Sequence, residues 1–276
     1  MKVLWFNGNF GNQIFYCAYK DYLADVFPCD IIYAYIDEKC PPVKVEERTN
    51  LHLPKISFFI DILSFFVFKV AGVIFRRIPI KFLPGWYCGR GALNDKACFF
   101  DNSMQNKLFY ENKPSNWLEI KEPAKLEDDY LKWKFTIANN PSVCIHIRRG
   151  DYVKPGSAYV DLLSTDYYLK ALAYAKSILP NALYFFFSDD LEYVRTVFRG
   201  ENIYYVDCNK GDRGYLDIVL MSLAKINIMA NSTFSYWASY IAHENKTVIY
   251  PKRWFCDWTH REAPDIMLNR DNWIGF

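Results

Sequence analysis

The sequence predicts an α/β fold of two Rossmann-like domains, residues 1–140 and 141–276, and three observations carry that expectation. After Pro141, apolar runs of strand length alternate with helical stretches, the pattern of a parallel sheet wound with helices. The chain opens on the same unit, an apolar run, a glycine-bearing turn and a helix. Finally, polar clusters fall at the carboxyl ends of the apolar runs, the edge at which open α/β sheets bind ligands. At 276 residues, and roughly 150 residues per domain, two modest domains fit the length.

Taken in order, KVLWF (2–6) reads as the first strand and NGNFGNQ as the loop after it. A helix is expected from about Ile14 to Val26, with Ile14, Ala18, Tyr22 and Val26 on one face. DIIYAYI (30–36) is a second strand, closed by the loop at Pro41 and Pro42, and the stretch from Leu93 to Asp128 shows no clear period. In the second half, the strand ending in HIRRGD is followed by a helix opening near Ser164 or Thr165 and stopping before Pro180. ALYFFF (182–187) and a helix from about Leu191 to Phe198 come next, then NIYYVD (202–207) and a helix from about Tyr215 to Ala224. INIMA (226–230), a helix from about Phe234 and a last strand TVIYP (247–251) complete the expected series.

Composition narrows the function. Apolar residues at 51% exclude extensive disorder, and a formal charge of +2 gives no general case for a nucleic-acid partner. Eight cysteines without a CxxC pair, and only four histidines, argue against a structural zinc site. The amino terminus, MKVLWFNGNFGNQ, has too short an apolar run for a secretory signal, so reduced thiols in a cytoplasmic protein are expected. From Ile56 to Phe75 the chain is strongly apolar but interrupted by Asp61 and Lys69. A core helix is the leading reading, and a membrane-surface patch through residues 56–81, with Arg76, Arg77 and Lys81 behind it, is the alternative.

The informative residues sit at strand ends. His146, Arg148, Arg149 and Asp151 follow the strand at 143–145, and two adjacent guanidiniums suit phosphate oxygens. Ser188, Asp189 and Asp190 end the next strand, where the carboxylates either accept N–H groups of a purine or cap the following helix. Asn231, Ser232, Thr233, Phe234 and Ser235 surround a helix amino end, which is an anion cradle, a cap, or both. Three strand ends of one parallel sheet share an edge, so these clusters should meet.

Four of these segments, HIRRGDY (146–152), FFFSDD (185–190), NSTFSYW (231–237) and FGNQIF (10–15), together resemble glycosyltransferase family 11, the bacterial α-1,2-fucosyltransferases. The likeness implies a GT-B architecture, with a carboxyl-terminal domain binding GDP-fucose and an amino-terminal domain on the acceptor side. It implies an inverting, metal-independent transfer of fucose to the 2-OH of a terminal galactose, with no cofactor beyond the donor substrate. By matching position, His146 and Asp190 fall on the guanine side with Asp189 beside them, Arg148 and Arg149 on the diphosphate, and Ser232 to Ser235 on the phosphate-proximal loop. Asn12 falls near the sugar. Asp151 is the candidate base, although a carboxylate so close to two arginines is a weak proton acceptor, and orienting one of them is an equal alternative.

The chain departs from the family pattern where Asn7, Gly8, Asn9 and Phe10 precede Gly11, where Ile226 stands in Lys225–Asn227, and at Tyr236, Trp237 and Ala238. A galactose-ending glycan acceptor, lipid-linked during surface polysaccharide assembly on the inner face of the membrane, is the partner this reading expects.

Overall fold

The structure, a computed structural model, describes residues 2–6, 9–26, 31–35, 45–52, 86–87, 99–100, 105–114, 116–242, 246–259 and 272–276. The apolar segment 56–81, with its membrane-surface alternative, lies outside the described residues. No helix among the described residues is long and apolar enough to cross a membrane.

The chain divides into two α/β units, Met1–Glu119 and Ile120–Phe276. In the first, strands β1 (Lys2–Phe6), β2 (Ile31–Tyr35), β3 (Trp86–Tyr87) and β4 (Phe99–Phe100) form a parallel sheet ordered β2-β1-β4-β3. Helix α1 spans Phe10–Val26 and so begins earlier than the expected Ile14. The Gln13 N–H donates to the Asn9 carbonyl at 3.1 Å, so Phe10, Gly11, Asn12 and Gln13, expected in a loop, already form the first helical turn. The helix does not bury one stripe either, because Ile14 to Tyr19 are all buried. A helix apolar all round belongs inside a core. Its aromatic side chains Phe15 and Tyr19 pack on Tyr110 and Phe109, with ring centroids 5.6 and 4.4 Å apart. A short helix α2 (Val45–Arg48) follows β2 in this unit.

The second unit opens with helix α3 (Asp128–Asn139), which the sequence reading left unassigned. Trp133 of α3 packs edge-on to Phe185 and Tyr204, at 5.9 Å from each. That packing joins α3 to the sheet of the second unit, which begins at Ile120.

The sheet comprises β5 (Ser142–Ile147), β6 (Leu183–Ser188), β7 (Ile203–Tyr205), β8 (Ile226–Ile228), β9 (Thr247–Tyr250) and β10 (Trp273–Gly275). All pairs are parallel, in the order β10-β9-β8-β5-β6-β7. Strand β10 follows what the sequence presented as the last strand; its three residues carry no period that a sequence window can read. Between the strands run α4 (Tyr167–Ile178), α5 (Leu191–Val197), α6 (Leu216–Ser222) and α7 (Thr233–Tyr240). Every residue of β5 is buried, as a central strand covered on both faces requires. Val143, Ile145 and Ile147 of that strand share a core with Ala171, Phe186 and Ile228.

Strand order fixes where a ligand goes. The chain winds outward from β5 through β6 to β7, then returns to β8 on the other flank and winds out to β10. A crevice opens at such a reversal, outside the carboxyl ends of the two central strands. Here those strands are β5 and β8, paired through Val143↔Ile226, Cys144↔Asn227 and Ile145↔Ile228.

Candidate functional site

The three polar clusters do meet at this edge. Strand β5 delivers His146 and the arginines, β6 delivers Ser188 to Asp190, and β8 delivers Asn231 to Ser235.

Both arginines are held by carboxylates. Arg148 Nη1 lies 2.9 Å from Asp189 Oδ2, and its Nη2 lies 2.5 Å from Asp151 Oδ1. Burial works against the Arg148 charge, but Asp189 and Asp151 outweigh it, and the net effect holds the guanidinium protonated more firmly than usual. The backbone N–H of Arg149 donates to Asp189 Oδ1 at 2.9 Å, and its Nε donates to Asp190 Oδ2 at 3.0 Å. The Arg149 guanidinium also lies 3.4 Å from the centroid of the Tyr193 ring, a cation–π stack. Among the described residues, the Nη groups of Arg149 have no protein partner, which leaves one full edge of its fork for a ligand.

Strand β6 ends so as to aim these carboxylates. The Asp190 N–H donates to Ser188 Oγ at 3.0 Å, turning the chain out of the sheet, and Asp190 Oδ1 then caps α5 by accepting from the Tyr193 N–H at 3.2 Å. The two roles weighed for these aspartates are therefore unequal in the structure. Capping and arginine orientation already engage both oxygens of Asp189 and of Asp190, each oxygen keeping only its second lone pair for another donor.

Gly150 is required by this packing. A Cβ there would lie 2.4 Å from Asp189 Oδ2, an atom that Arg148 pins in place.

On the β8 side, Ser232 caps α7 by accepting from the Phe234 N–H at 3.3 Å. The Ser235 hydroxyl donates inward, 3.3 Å from the Ala230 carbonyl and 3.2 Å from that of Ser232. The amide Nδ2 of Asn231 is committed as well, donating to the Val160 carbonyl at 3.0 Å and the Trp254 carbonyl at 2.9 Å. Asn231 and Ser235 thus shape the loop, while Thr233 and Phe234, both only partly buried, remain at its surface.

His146 is buried, its ring 5.5 Å from that of Phe234, and among the described residues its Nδ1 has no hydrogen-bond partner. Burial, and then the Arg148 charge, hold its pKa down at about 3, so the imidazole is neutral at working pH. A neutral, enclosed ring nitrogen without a partner fits a ligand hydrogen bond better than structural work.

Asn12 belongs to the first unit, where it lies in the first turn of α1 and its Oδ1 accepts from Gln105 Nε2 at 3.0 Å.

One residue at the same sheet edge escaped the sequence reading. Asp217, at the start of α6, accepts from Asn209 Nδ2 at 2.8 Å. Although part of the residue surface is exposed, desolvation of the carboxyl pushes its pKa up to about 7 against the lowering effect of Asn209. The other side-chain atom of its partner, Asn209 Oδ1, is buried without a hydrogen-bond partner among the described residues. The available signal was an acid inside the run Leu216–Leu220, where Leu216, Ile218 and Leu220 are buried.

Comparison with known proteins identifies the family. The model of glycosyl transferase family 11 matches residues 98–276, which contain every element of the second unit's sheet. The O-antigen biosynthesis glycosyltransferase WbnK of Escherichia coli is 32% identical over 152 residues, 54% of this chain and 49% of that protein. An alpha-1,2-colitosyltransferase of Escherichia coli is 32% identical over 164 residues, 56% of each chain. The chain therefore spans about half the length of the curated relatives it matches. Among solved structures, the NodZ alpha-1,6-fucosyltransferase soaked with GDP-fucose aligns at a TM-score of 0.48 and 13% identity, covering 87% of this chain and 92% of that one. The ADP-heptose lps heptosyltransferase II of E. coli aligns at 0.46 and 11%, covering 100% and 90%. Likenesses at those scores carry no functional argument. The family match takes in the arginine pair, the aspartates of β6 and the α7 cap together, and on that match the chain belongs to glycosyltransferase family 11, a family of glycosyl-transferring enzymes.

Proposed function

We propose that the protein transfers L-fucose from GDP-β-L-fucose to the 2-OH of a terminal galactose, inverting the anomeric centre without a metal. The acceptor is a glycan of a surface polysaccharide under assembly, in keeping with the O-antigen role in the name of one relative. The observation that carries the reading is the arginine pair at the β5/β8 reversal, facing a capped helix amino end within a family 11 sequence. Asn12 near the transferred sugar is part of the same proposal.

In this mechanism the acceptor oxygen attacks the anomeric carbon as the bond to the β-phosphate oxygen breaks, and negative charge grows on the departing diphosphate. A fixed cation there stabilises the transition state more than the ground state. One such pair at ~4 Å interacts by roughly 4 kcal/mol at an effective dielectric of about 20, before desolvation. Arg148 and Arg149 supply that charge, and Thr233 with the first turn of α7 supplies neutral donors. Asp151 is the proposed base, and its geometry sets a condition on that role. Its Oδ1 is engaged by Arg148 at 2.5 Å, so Oδ2 is the oxygen proposed to take the acceptor proton.

For the base, His146 Nδ1 and Asp217 are the groups with capacity to spare, and we assign Asp217 as acceptor for the adjacent N–H donors of guanine, with Asp190 and Asp189 holding the arginines. Calorimetric titration with GDP and UDP in EDTA tests the donor assignment: GDP should bind and UDP should not. If neither binds, or if both require a divalent metal, the roles of His146, Arg148, Arg149 and Asp217 fall. A second donor sugar also has an observation behind it, since one relative is named for colitosyl transfer. A screen of GDP-sugars for GDP release separates the two.

Gly150→Ala probes the carboxylate scaffold. The added methyl must displace Asp189, which holds both Arg148 Nη1 and the Arg149 N–H. Losing one charge-assisted hydrogen bond of that kind corresponds to roughly a tenfold or greater loss of GDP affinity. Unchanged GDP affinity in Gly150→Ala would show that Asp189 does not position the arginines.

A further inference from the structure

We infer that Tyr152 is a positioning residue that sets the width of the phosphate crevice, and that through it the site distinguishes a nucleoside diphosphate from the corresponding monophosphate; this rests on the proposed diphosphate reading of the same site. Tyr152 follows β5, yet its hydroxyl donates to the carbonyl of Asn231, which follows β8, at 3.0 Å. That hydrogen bond spans the reversal point of the sheet, linking the loop that carries the arginines to the loop that caps α7. The face of the Tyr152 ring lies 5.6 Å from the Arg148 guanidinium, so the same side chain also supports the cation.

The tyrosine is itself braced. Its ring stacks on Tyr159 with centroids 4.2 Å apart and planes 3° from parallel, and Tyr159 lies 5.2 Å from Phe255. The two loops beneath are paired, with the Val160 N–H donating to the Trp254 carbonyl at 3.1 Å and the Cys256 N–H to the Ala158 carbonyl at 2.8 Å. Asn231 closes the circuit, since its Nδ2 donates to the carbonyls of Val160 and Trp254 while its own carbonyl receives Tyr152. Burial, and then neighbouring Tyr159, push the phenol well above its ordinary range, so the proton that makes the bridge is always present.

A rigid brace of this kind matters most to a ligand that touches both sides. A diphosphate has two groups to distribute between Arg148 and the α7 amino end, whereas a monophosphate satisfies one side alone. Loosening the bridge should therefore weaken GDP and spare GMP. A residue that merely supported the fold would weaken both alike.

The test is calorimetric titration of the full chain and of Tyr152→Phe with GDP and with GMP, with thermal unfolding as a check on the fold. The wild type should prefer GDP, and Tyr152→Phe, which keeps the ring and loses the bridge, should lose roughly tenfold in GDP affinity with GMP within about twofold of wild type. Tyr159→Leu, which removes the brace and leaves the hydroxyl, should shift the GDP to GMP ratio in the same direction. Equal losses for the two nucleotides, or an unchanged GDP affinity in both variants, would overturn the inference. Failure of the wild type to bind GDP would instead remove the diphosphate reading, and the inference with it.

Discussion

Arg148→Ala should lower kcat/KM for transfer by two to three orders of magnitude while leaving the thermal unfolding midpoint nearly unchanged. The size follows from removing one preorganised donor aimed at charge that develops in the transition state, about 3–4 kcal/mol in comparable sites. The small stability effect follows from position: the side chain is 28% exposed, outside the core, and its ion pairs with Asp151 and Asp189 are partly solvated. Arg148→Lys keeps the charge but not the fork that engages Asp151 and Asp189 through separate nitrogens, so it should recover only part of the loss. Release of GDP measured with donor and acceptor in excess reads both variants, and near-normal turnover in Arg148→Ala would sink the diphosphate assignment. Arg149 is placed differently. At 12% exposure, stacked on Tyr193 and fixed through Nε, it presents a ready-made anion site. Its loss should therefore appear more in donor KM than in kcat.

How much of this was legible in the sequence depends on which link of the chain is asked about. The strands β5, β6 and β8 were legible because each is an apolar run ended by a polar cluster, and a parallel sheet gathers those ends on one edge. The resulting site was therefore visible as a set of residues. Their division of labour was not, because it depends on which lone pair meets which N–H. Nothing in SDD shows that these carboxylates clamp two arginines; the 2.9 and 3.0 Å contacts to Arg148 and Arg149 do so. Asn231 reads as a donor contact in sequence, and the structure adds that its Nδ2 is bonded to two backbone carbonyls. Helix α3 was missed because Tyr130 and Ile137 are its only buried residues, too sparse a stripe for a hydrophobic period to show. The early start of α1 was missed because glycine and asparagine ordinarily mark turns, whereas here the Asn9 carbonyl accepts from Gln13 and the helix closes at once.

Asp217→Asn should stabilise the free protein and impair it as an enzyme. The folded-state pKa of about 7 lies well above that of an exposed aspartate, so between those two values the folded protein holds a proton that the unfolded chain has released. The favourable contribution is complete below the unfolded pKa and is lost as pH rises through about 7, above which the fold carries an ionised carboxyl in a desolvating pocket. Asparagine removes that cost, and at pH 8 the variant should be more stable by about 1 kcal/mol or more. The cost is tolerable in the wild type if the ionised carboxylate serves as the acceptor for guanine, because strongly shifted acids at a sheet edge are candidates for binding, and Asp217 is held there by Asn209. GDP affinity should accordingly fall at least tenfold in Asp217→Asn, and in the wild type it should decline as pH drops below about 7, with the variant showing no such decline. Denaturant unfolding at pH 5 and pH 8, paired with GDP titration at both, measures the two effects in one preparation. A variant that gains stability but binds GDP as the wild type does would move the guanine contact away from α6, leaving His146 as the base-side group on this edge.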